Sequence, residues 1–164
     1  SSSAASDVYK RQGKLPRHMI LCFVDAKAFD SNITANPFVF EHFDVNNINV
    51  LRNGEAINPT VFQPDFDEGN FLREYSWFLD NVGLHRNATL SISKEEFRSN
   101  SCFFPFDLSP DLCNSVNMHR TESGVIDIHL GFKTALPKNV MCILFATYDE
   151  LVTIDKTRNV AVIQ

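Results

Sequence analysis

The chain has 164 residues, of which 44% are hydrophobic and 12% aromatic, and this composition predicts one folded domain with a sizeable core rather than a disordered chain. The formal net charge of −5 argues against a nucleic-acid-binding surface, and no apolar run approaches the roughly 20 residues of a membrane helix. We therefore expect neither a specific nucleic acid nor a membrane as a partner. Among the four cysteines, Cys22 and Cys142 lie in apolar strand patterns and are expected to be buried thiols. This favours a reducing compartment, although one disulfide remains compatible with the sequence.

Residues 1–12 read SSSAASDVYKRQ, a polar stretch without hydrophobic periodicity. We predict that this stretch is unstructured, as the end of a fragment of a longer reading frame or as translated adapter sequence. Residues 13–164 are then expected to form a single domain.

The first half of the domain has strand patterns with short interruptions. Residues 16–24 predict the first strand, and residues 25–30 could form one helical turn capped by Asp25. Residues 36–40 are expected to be extended, because the residue before a proline is disfavoured in a helix. Residues 43–52 predict a second strand, and Asn53-Gly54, the preferred pair of a type I′ turn, predicts a hairpin with a short return strand.

The middle of the chain contains both predicted helices. Apolar and aromatic side chains recur at helical spacing over residues 71–79, with Asp67 as the expected N-cap and Gly83 as the expected end. Ser93 and Glu96 form a capping-box pattern that predicts a second, short helix. Residues 101–107 are predicted to be extended, and residues 108–121 to be a long polar loop.

The last third has the clearest strand pattern. From Ile126 to Phe132, apolar side chains occupy every second position, and Asp127 and His129 lie on the other face, which predicts a strand with one buried face. Residues 140–148 are apolar on both faces and predict a central strand covered on both sides. Because a short turn separates the two strands, we expect them to pair as the antiparallel hairpin at the core of the sheet. Residues 152–154 predict a further short strand.

This succession of strands, with two short helices inside connections and no internal repeat, predicts an all-β fold. The expected architecture is a jelly-roll β-sandwich with one or two short helices inserted in loops.

Acidic side chains supply one candidate metal site. Asp65, Asp67 and Glu68 could bind a hard cation through oxygen ligands, but the twelve-residue calcium-loop pattern is absent. Acids that gather at a helix N-terminus are commoner. We therefore expect no metal.

The residue types that carry out catalysis do not converge in the sequence. Histidines are scattered without zinc-site spacing, Ser109 and Ser115 lack a nucleophile elbow, and Cys113 has no assignable histidine partner. Asp107 and Asp111 resemble a carboxylate pair, but loop acids usually bind their own backbone. The expected protein has no catalytic residue and no cofactor, and it is not an enzyme. The five histidines are His18, His42, His85, His119 and His129.

Four aromatic residues form a candidate interface: Trp77, Phe103, Phe104 and Phe106. The alternative, which we favour about two to one, is that they belong to the core.

Several short strings of the sequence occur in the same order in one known family. They are Pro16-Arg17-His18, NPFVF at 36–40, FDVN at 43–46, QPDF at 63–66, FDLSPDL at 106–112 and IDKTRNV at 154–160. With them, the chain resembles the hexon-like major capsid protein of Polinton/Maverick elements and adintoviruses, and related animal-genome proteins, from about Pro16 to its end.

The resemblance implies that the chain is the C-terminal half of a double jelly roll whose capsomers are pseudo-hexagonal trimers. The implied partners are its own N-terminal jelly roll, two further copies and other capsid proteins, and the implied location is the virion, assembled inside the host cell. The family has no catalytic residues to transfer. The alternative function is a β-sandwich module that binds carbohydrate or peptide in its loops.

Overall fold

A computed structural model describes residues 6–29, 36–57, 61–82, 92–109 and 121–163. Strands outnumber helices, which confirms the all-β prediction. In chain order the elements are β1 (Ser6–Lys14), β2 (His18–Asp25), α1 (Ala26–Phe29), β3 (Val45–Arg52), β4 (Glu55–Ala56), α2 (Leu72–Val82), α3 (Lys94–Ser99), β5 (Phe103–Asp107), β6 (Ser123–Phe132), β7 (Val140–Thr147), β8 (Leu151–Ile154) and β9 (Val160–Ile163).

The described strands form two packed sheets and a separate ribbon. One sheet has the order β1-β6-β3-β4, the other has the order β5-β2-β7, and β8 pairs with β9. All strand pairs are antiparallel. Phe23 of β2 contacts Phe132 of β6 with ring centroids 5.5 Å apart, so the two larger sheets pack face to face over a shared apolar core.

Strand β6 has the faces that its alternation predicts. Ile126, Ile128, Leu130 and Phe132 are each at most 9% exposed, while His129 is exposed. The opposite sheet covers the apolar face of β6. Because β6 lies between β1 and β3, its backbone is paired on both edges.

The predicted hairpin between β6 and β7 is wrong. β6 pairs with β1 and β3, whereas β7 pairs with β2 in the other sheet. The seven residues 133–139 cross from one sheet to the other, with Lys133 N–H donating to the Asp44 carbonyl and Ala26 N–H to the Asn139 carbonyl. Facing sheets are about 10 Å apart, and seven residues can reach about 23 Å, so a short connection permits a crossover as well as a hairpin.

Strand β7 is also not the central strand predicted from its composition. In the described part of the chain it is an edge of its sheet, with Phe145 61% exposed and Cys142 exposed, so the prediction of a buried Cys142 is wrong. The central position belongs to β2, in which Met19, Leu21 and Val24 are fully buried and Cys22 is buried as predicted.

The prediction that residues 1–12 are unstructured is wrong for residues 6–12. They form most of β1, which pairs with β6 along nine register positions. Backbone hydrogen bonds to the edge of β6 can form without the apolar periodicity that the stretch lacks. From Val8 to Gln12 the side chains are exposed, in keeping with the polar sequence.

The helices lie in connections, as expected, but α2 begins later than predicted. Its first residue is Leu72, which is 61% exposed, and Asp67 lies in the preceding turn, so Asp67 is not the N-cap. Gly83 lies outside the described residues. The capping box of α3 is confirmed, with Glu96 N–H donating to Ser93 Oγ and Ser93 N–H donating to Glu96 Oε2.

The remaining local predictions are confirmed with one adjustment. Asn53 and Gly54 both have positive φ, 54° and 85°, as a type I′ turn requires. Asp25 caps the single turn of α1 by accepting from Lys27 N–H. Residues 37–38 form a turn rather than an extended segment, because Asn36 Oδ1 accepts from Phe38 N–H. Most of the predicted loop 108–121 lies outside the described residues.

Candidate interface and binding cleft

The four predicted interface aromatics lie on or near β5, where they help to close one side of the sandwich. Phe104 and Phe106 are 1% exposed, so the core interpretation is confirmed for both. Trp77 and Phe103 are partly buried against the same core, and Trp77 Nε1–H donates to the Pro105 carbonyl at 2.7 Å. An interface role for Trp77 and Phe103 therefore stays a prediction.

Other apolar residues are the ones that the structure leaves exposed. Their residue types do not predict this exposure, because apolar runs usually belong to the core. Within the described residues, the exposed large hydrophobic side chains are Val8, Tyr9, Phe38, Leu72, Val82, Phe145, Leu151, Val152, Ile154 and Val160. Five of the ten, from Phe145 onwards, lie on β7 or on the β8–β9 hairpin.

The β8–β9 hairpin is exposed, yet it has a well-bonded turn. Asp155 Oδ1 accepts from Thr157 N–H at 2.8 Å, Thr157 Oγ1 at 2.7 Å and Asn159 N–H at 2.8 Å, and Asp155 Oδ2 accepts from Asn159 Nδ2. These bonds, led by the one from the Thr157 hydroxyl, lower the pKa of the Asp155 carboxyl. The turn thus fixes the hairpin at its tip.

The base of the hairpin is attached to the corner between β1 and β2. Arg17 N–H donates to the Thr147 carbonyl at 2.7 Å, and the Arg17 guanidinium lies 3.3 Å from Asp149. Lys14 Nζ lies 3.8 Å from Glu150 and 5.9 Å from the ring centroid of Tyr148. The three residues between β7 and β8 are therefore held against the sandwich.

A cleft of about 460 Å³ opens between the segment before β3, the end of α3 and the crossover 133–139. Its lining includes the charged side chains Glu41, Asp44 and Arg98 and the hydroxyls of Ser99 and Thr134. A small ligand or a peptide side chain could bind in this polar cleft.

His42 shapes the wall of this cleft. Its ring stacks on Phe66 with centroids 4.0 Å apart, and its Nδ1 accepts from Asp44 N–H at 2.9 Å. Burial lowers the pKa of His42, and Arg98 acts in the same direction, whereas the nearby acids Asp44, Asp67 and Glu41 oppose the shift.

The backbone of the same wall adopts an unusual conformation. Phe43 and Asp44 have φ of 46° and 53°, a region that residues other than glycine rarely occupy. The bond from Asp44 N–H to His42 Nδ1, and that from Val45 N–H to the His42 carbonyl at 2.9 Å, hold this segment.

Two acids of the candidate metal site, Asp65 and Asp67, form ion pairs with Lys133. Lys133 Nζ lies 2.9 Å from Asp67 Oδ2 and 3.2 Å from Asp65 Oδ1. Asp65 also accepts from Glu68 N–H, the bond that contributes most to the lowered pKa of Asp65, and the pKa of Lys133 is raised by Asp67 and Asp65. Across the described ranges, no three His, Cys, Asp or Glu side chains come together as a metal site.

The remaining candidate residues are separated or serve the fold. Asp107 accepts from Ser109 N–H at 2.8 Å and from Ser109 Oγ at 2.6 Å, as a loop acid that binds its own backbone does. His18 Nδ1 lies 3.5 Å from Asp107 Oδ1. Burial raises the pKa of the Cys22 thiol to about 11, which makes Cys22 a poor nucleophile. His85, His119, Cys113, Asp111 and Ser115 lie outside the described residues.

A comparison with known proteins finds a relative of this chain. The chain is 26% identical over 150 residues to the uncharacterized protein F54H12.2 of Caenorhabditis elegans. The alignment covers 89% of this chain and 36% of that protein, so the chain spans about a third of its relative's length. No family model and no solved structure matches the chain. In the part of the chain that the structure describes, no helix is long and apolar enough to span a membrane.

Proposed function

We propose that this chain is a jelly roll of a major capsid protein and serves as a structural subunit of a virus or a virus-derived transposon. In this proposal it forms the C-terminal half of a double jelly roll, three copies of which build a hexon-like capsomer. Its partners are its own N-terminal jelly roll and other capsid proteins, and it is located in the virion.

The observation that carries the proposal is the nested pairing of the strands. β2 pairs with β7 in one sheet, and β3 pairs with β6 in the other. The chain therefore changes sheet between β2 and β3 and again between β6 and β7. The four strands therefore follow one antiparallel ribbon that is folded across the sandwich. A jelly roll is wound from such a ribbon, and viral capsid domains are one of its main uses.

Two further features support the proposal. The collinear strings between Pro16 and Val160 resemble the capsid family. The relative from Caenorhabditis elegans extends well beyond the matched part, with room for a second domain of this size. The chain also exposes apolar side chains outside β7–β9, such as Phe38 and Val82, which permanent subunit interfaces would bury.

The test is the assembly state of the complete reading frame that contains this chain. Analytical ultracentrifugation of that product at micromolar concentration should give a trimer of double jelly rolls, and electron microscopy should show pseudo-hexagonal capsomers. A monomer at these concentrations, or an upstream region without a jelly-roll pattern, would overturn the proposal.

The second candidate is a module that binds carbohydrate or peptide, and the cleft beside His42 favours it. Jelly rolls also occur in lectins, and this cleft presents charges of both signs together with hydroxyls. A screen of glycans and short peptides should then yield a ligand whose binding is lost in Arg98→Ala but kept in Lys156→Ala, which removes the same charge outside the cleft. A ligand that both variants bind equally well would show that the cleft is not its site.

A further inference from the structure

The edge of strand β7 lacks the usual protection of an exposed sheet edge. Within the described ranges, β7 pairs only with β2, and its eight residues, VMCILFAT, include no charged residue and no proline. Natural edge strands generally carry charges, prolines or bulges that prevent pairing with another chain. The β7 edge is therefore ready to accept a further strand.

Both faces of this edge are suited to an apolar neighbour. Phe145 is opposite Ile20 on the outer face and is 61% exposed. Cys142 is opposite the buried Phe23 on the inner face, yet it is itself exposed. A strand added beside β7 would cover Phe145 on one face and Cys142 on the other.

The β8–β9 hairpin has matching properties. Val152 and Ile154 lie on one face of β8 and are 51% and 70% exposed, and Leu151 on the other face is 46% exposed. Val160 of β9 is 66% exposed. A two-stranded ribbon is at best marginally stable in water on its own. The bonds of Asp155 thus fix the turn of a ribbon whose apolar side chains, from Leu151 to Val160, are exposed.

The hairpin and the β7 edge of one chain do not pair with each other. β8 pairs with β9, although only residues 148–150 separate it from β7. The contacts of Arg17 with Asp149 and of Lys14 with Glu150 hold this link on the corner between β1 and β2. Within the described ranges, one molecule thus presents an apolar hairpin and an unpaired apolar edge that only three residues separate along the chain.

We propose that the β8–β9 hairpin pairs with the β7 edge of a second copy of this chain, and that two copies exchange hairpins reciprocally. Because hairpin and edge are adjacent in the chain, together they form one self-complementary patch, as a two-fold interface requires. The proposal stands on this geometry and does not depend on the capsid function.

The exposed area sets an upper limit on the size of this interface. An aliphatic side chain carries about 60–120 Å² of buriable area, so the four exposed side chains of the hairpin offer roughly 200 Å². The exposed part of Phe145 adds roughly 120 Å². If all of this area is covered, two reciprocal contacts bury at most roughly 650 Å² of apolar surface, or roughly 1,100 Å² in total at the usual apolar share. This total is close to the lower end of specific interfaces, about 1,200 Å², so we expect association at micromolar rather than nanomolar concentration.

The first test is sedimentation of the chain over a range of micromolar concentrations. The unmodified chain should form a dimer, and Ile154→Lys should weaken the dimer at least tenfold. Leu72→Lys is the matched control, because Leu72 is 61% exposed on α2 and should not affect the dimer. Near-ultraviolet circular dichroism checks that each variant is folded. A chain that remains monomeric, or equal effects of the two lysines, would overturn the proposal.

The second test identifies the two surfaces directly. A variant with Ile154→Cys, Cys142→Ser and Cys113→Ser is mixed with a differently tagged chain that has only Cys113→Ser, and a short bismaleimide is added. Crosslinks between the two tagged chains should form through Cys142 of the second chain. The control replaces Ile154→Cys by Leu72→Cys and should give at least tenfold less product. Equal yields would contradict the hairpin exchange.

Discussion

Replacing Ile128 by alanine should strongly destabilise the protein. Ile128 is 2% exposed on the core face of β6, between its register partners Tyr9 of β1 and Val50 of β3. The substitution removes three carbon groups, which costs about 2.4 kcal/mol in transfer free energy at about 0.8 kcal/mol each. A strand paired on both edges cannot move to fill the cavity, so we expect a total loss of about 3–4 kcal/mol, within the usual range for such substitutions.

Urea unfolding monitored by circular dichroism measures this loss as a lower midpoint at unchanged slope. The matched control is Asp127→Ala, one residue away on the opposite face. Asp127 lies 3.5 Å from Lys10, whose side chain is 69% exposed, and such an ion pair is worth less than about 1 kcal/mol. Equal losses at the two positions would refute the assignment of the faces of β6.

Three further predictions follow from local features. Deletion of residues 1–12 should lower the melting temperature by several degrees, because it removes seven of the nine residues of β1 from the edge of β6; an unchanged temperature would show that these residues do not contribute to stability. Ser93→Ala should cost about 1 kcal/mol in urea unfolding by removing the capping box of α3, whereas Ser93→Thr should cost much less. Because burial lowers the pKa of His42, the unfolded chain binds this proton first, and stability should fall as the pH decreases below about 6.5. His42→Asn should reduce that fall in a series of unfolding curves, and an identical pH profile would contradict the assignment.

The features predicted correctly from the sequence are those fixed by a few neighbouring residues. The alternation from Ile126 to Phe132 determines which side chains of β6 are buried, because successive side chains of a strand point to opposite faces. Asn53-Gly54 favours positive φ at both positions, and Ser93 with Glu96 satisfies backbone donors at the start of α3. None of these features depends on which strand lies alongside.

Strand pairing, in contrast, depends on parts of the chain that are distant in sequence. The alternation of β6 shows that one of its faces must be buried. It does not show whether the short connection after β6 leads to a neighbouring strand of the same sheet or to a strand of the facing sheet. The sequence does not predict β1 for a related reason: its exposed side chains, such as Val8 and Lys10, leave no apolar pattern, and its pairing with β6 joins parts of the chain that are distant in sequence.

Two of the four candidate interface aromatics, Phe104 and Phe106, belong to the core for a reason that also explains β7. The residue type indicates that a side chain is expected to be buried. It does not indicate whether the same chain or another chain buries it. Phe104 and Phe106 are buried within the sandwich, whereas Phe145, in an equally apolar strand, is not buried by the described residues. A central strand and an edge strand that another chain covers therefore have the same composition. Only the set of paired strands separates the two cases, and among the described strands that set leaves one edge of β7 unpaired, three residues before a hairpin of similar composition. The same apolar run that suggested a central strand is thus what an edge needs if a second copy completes the sheet.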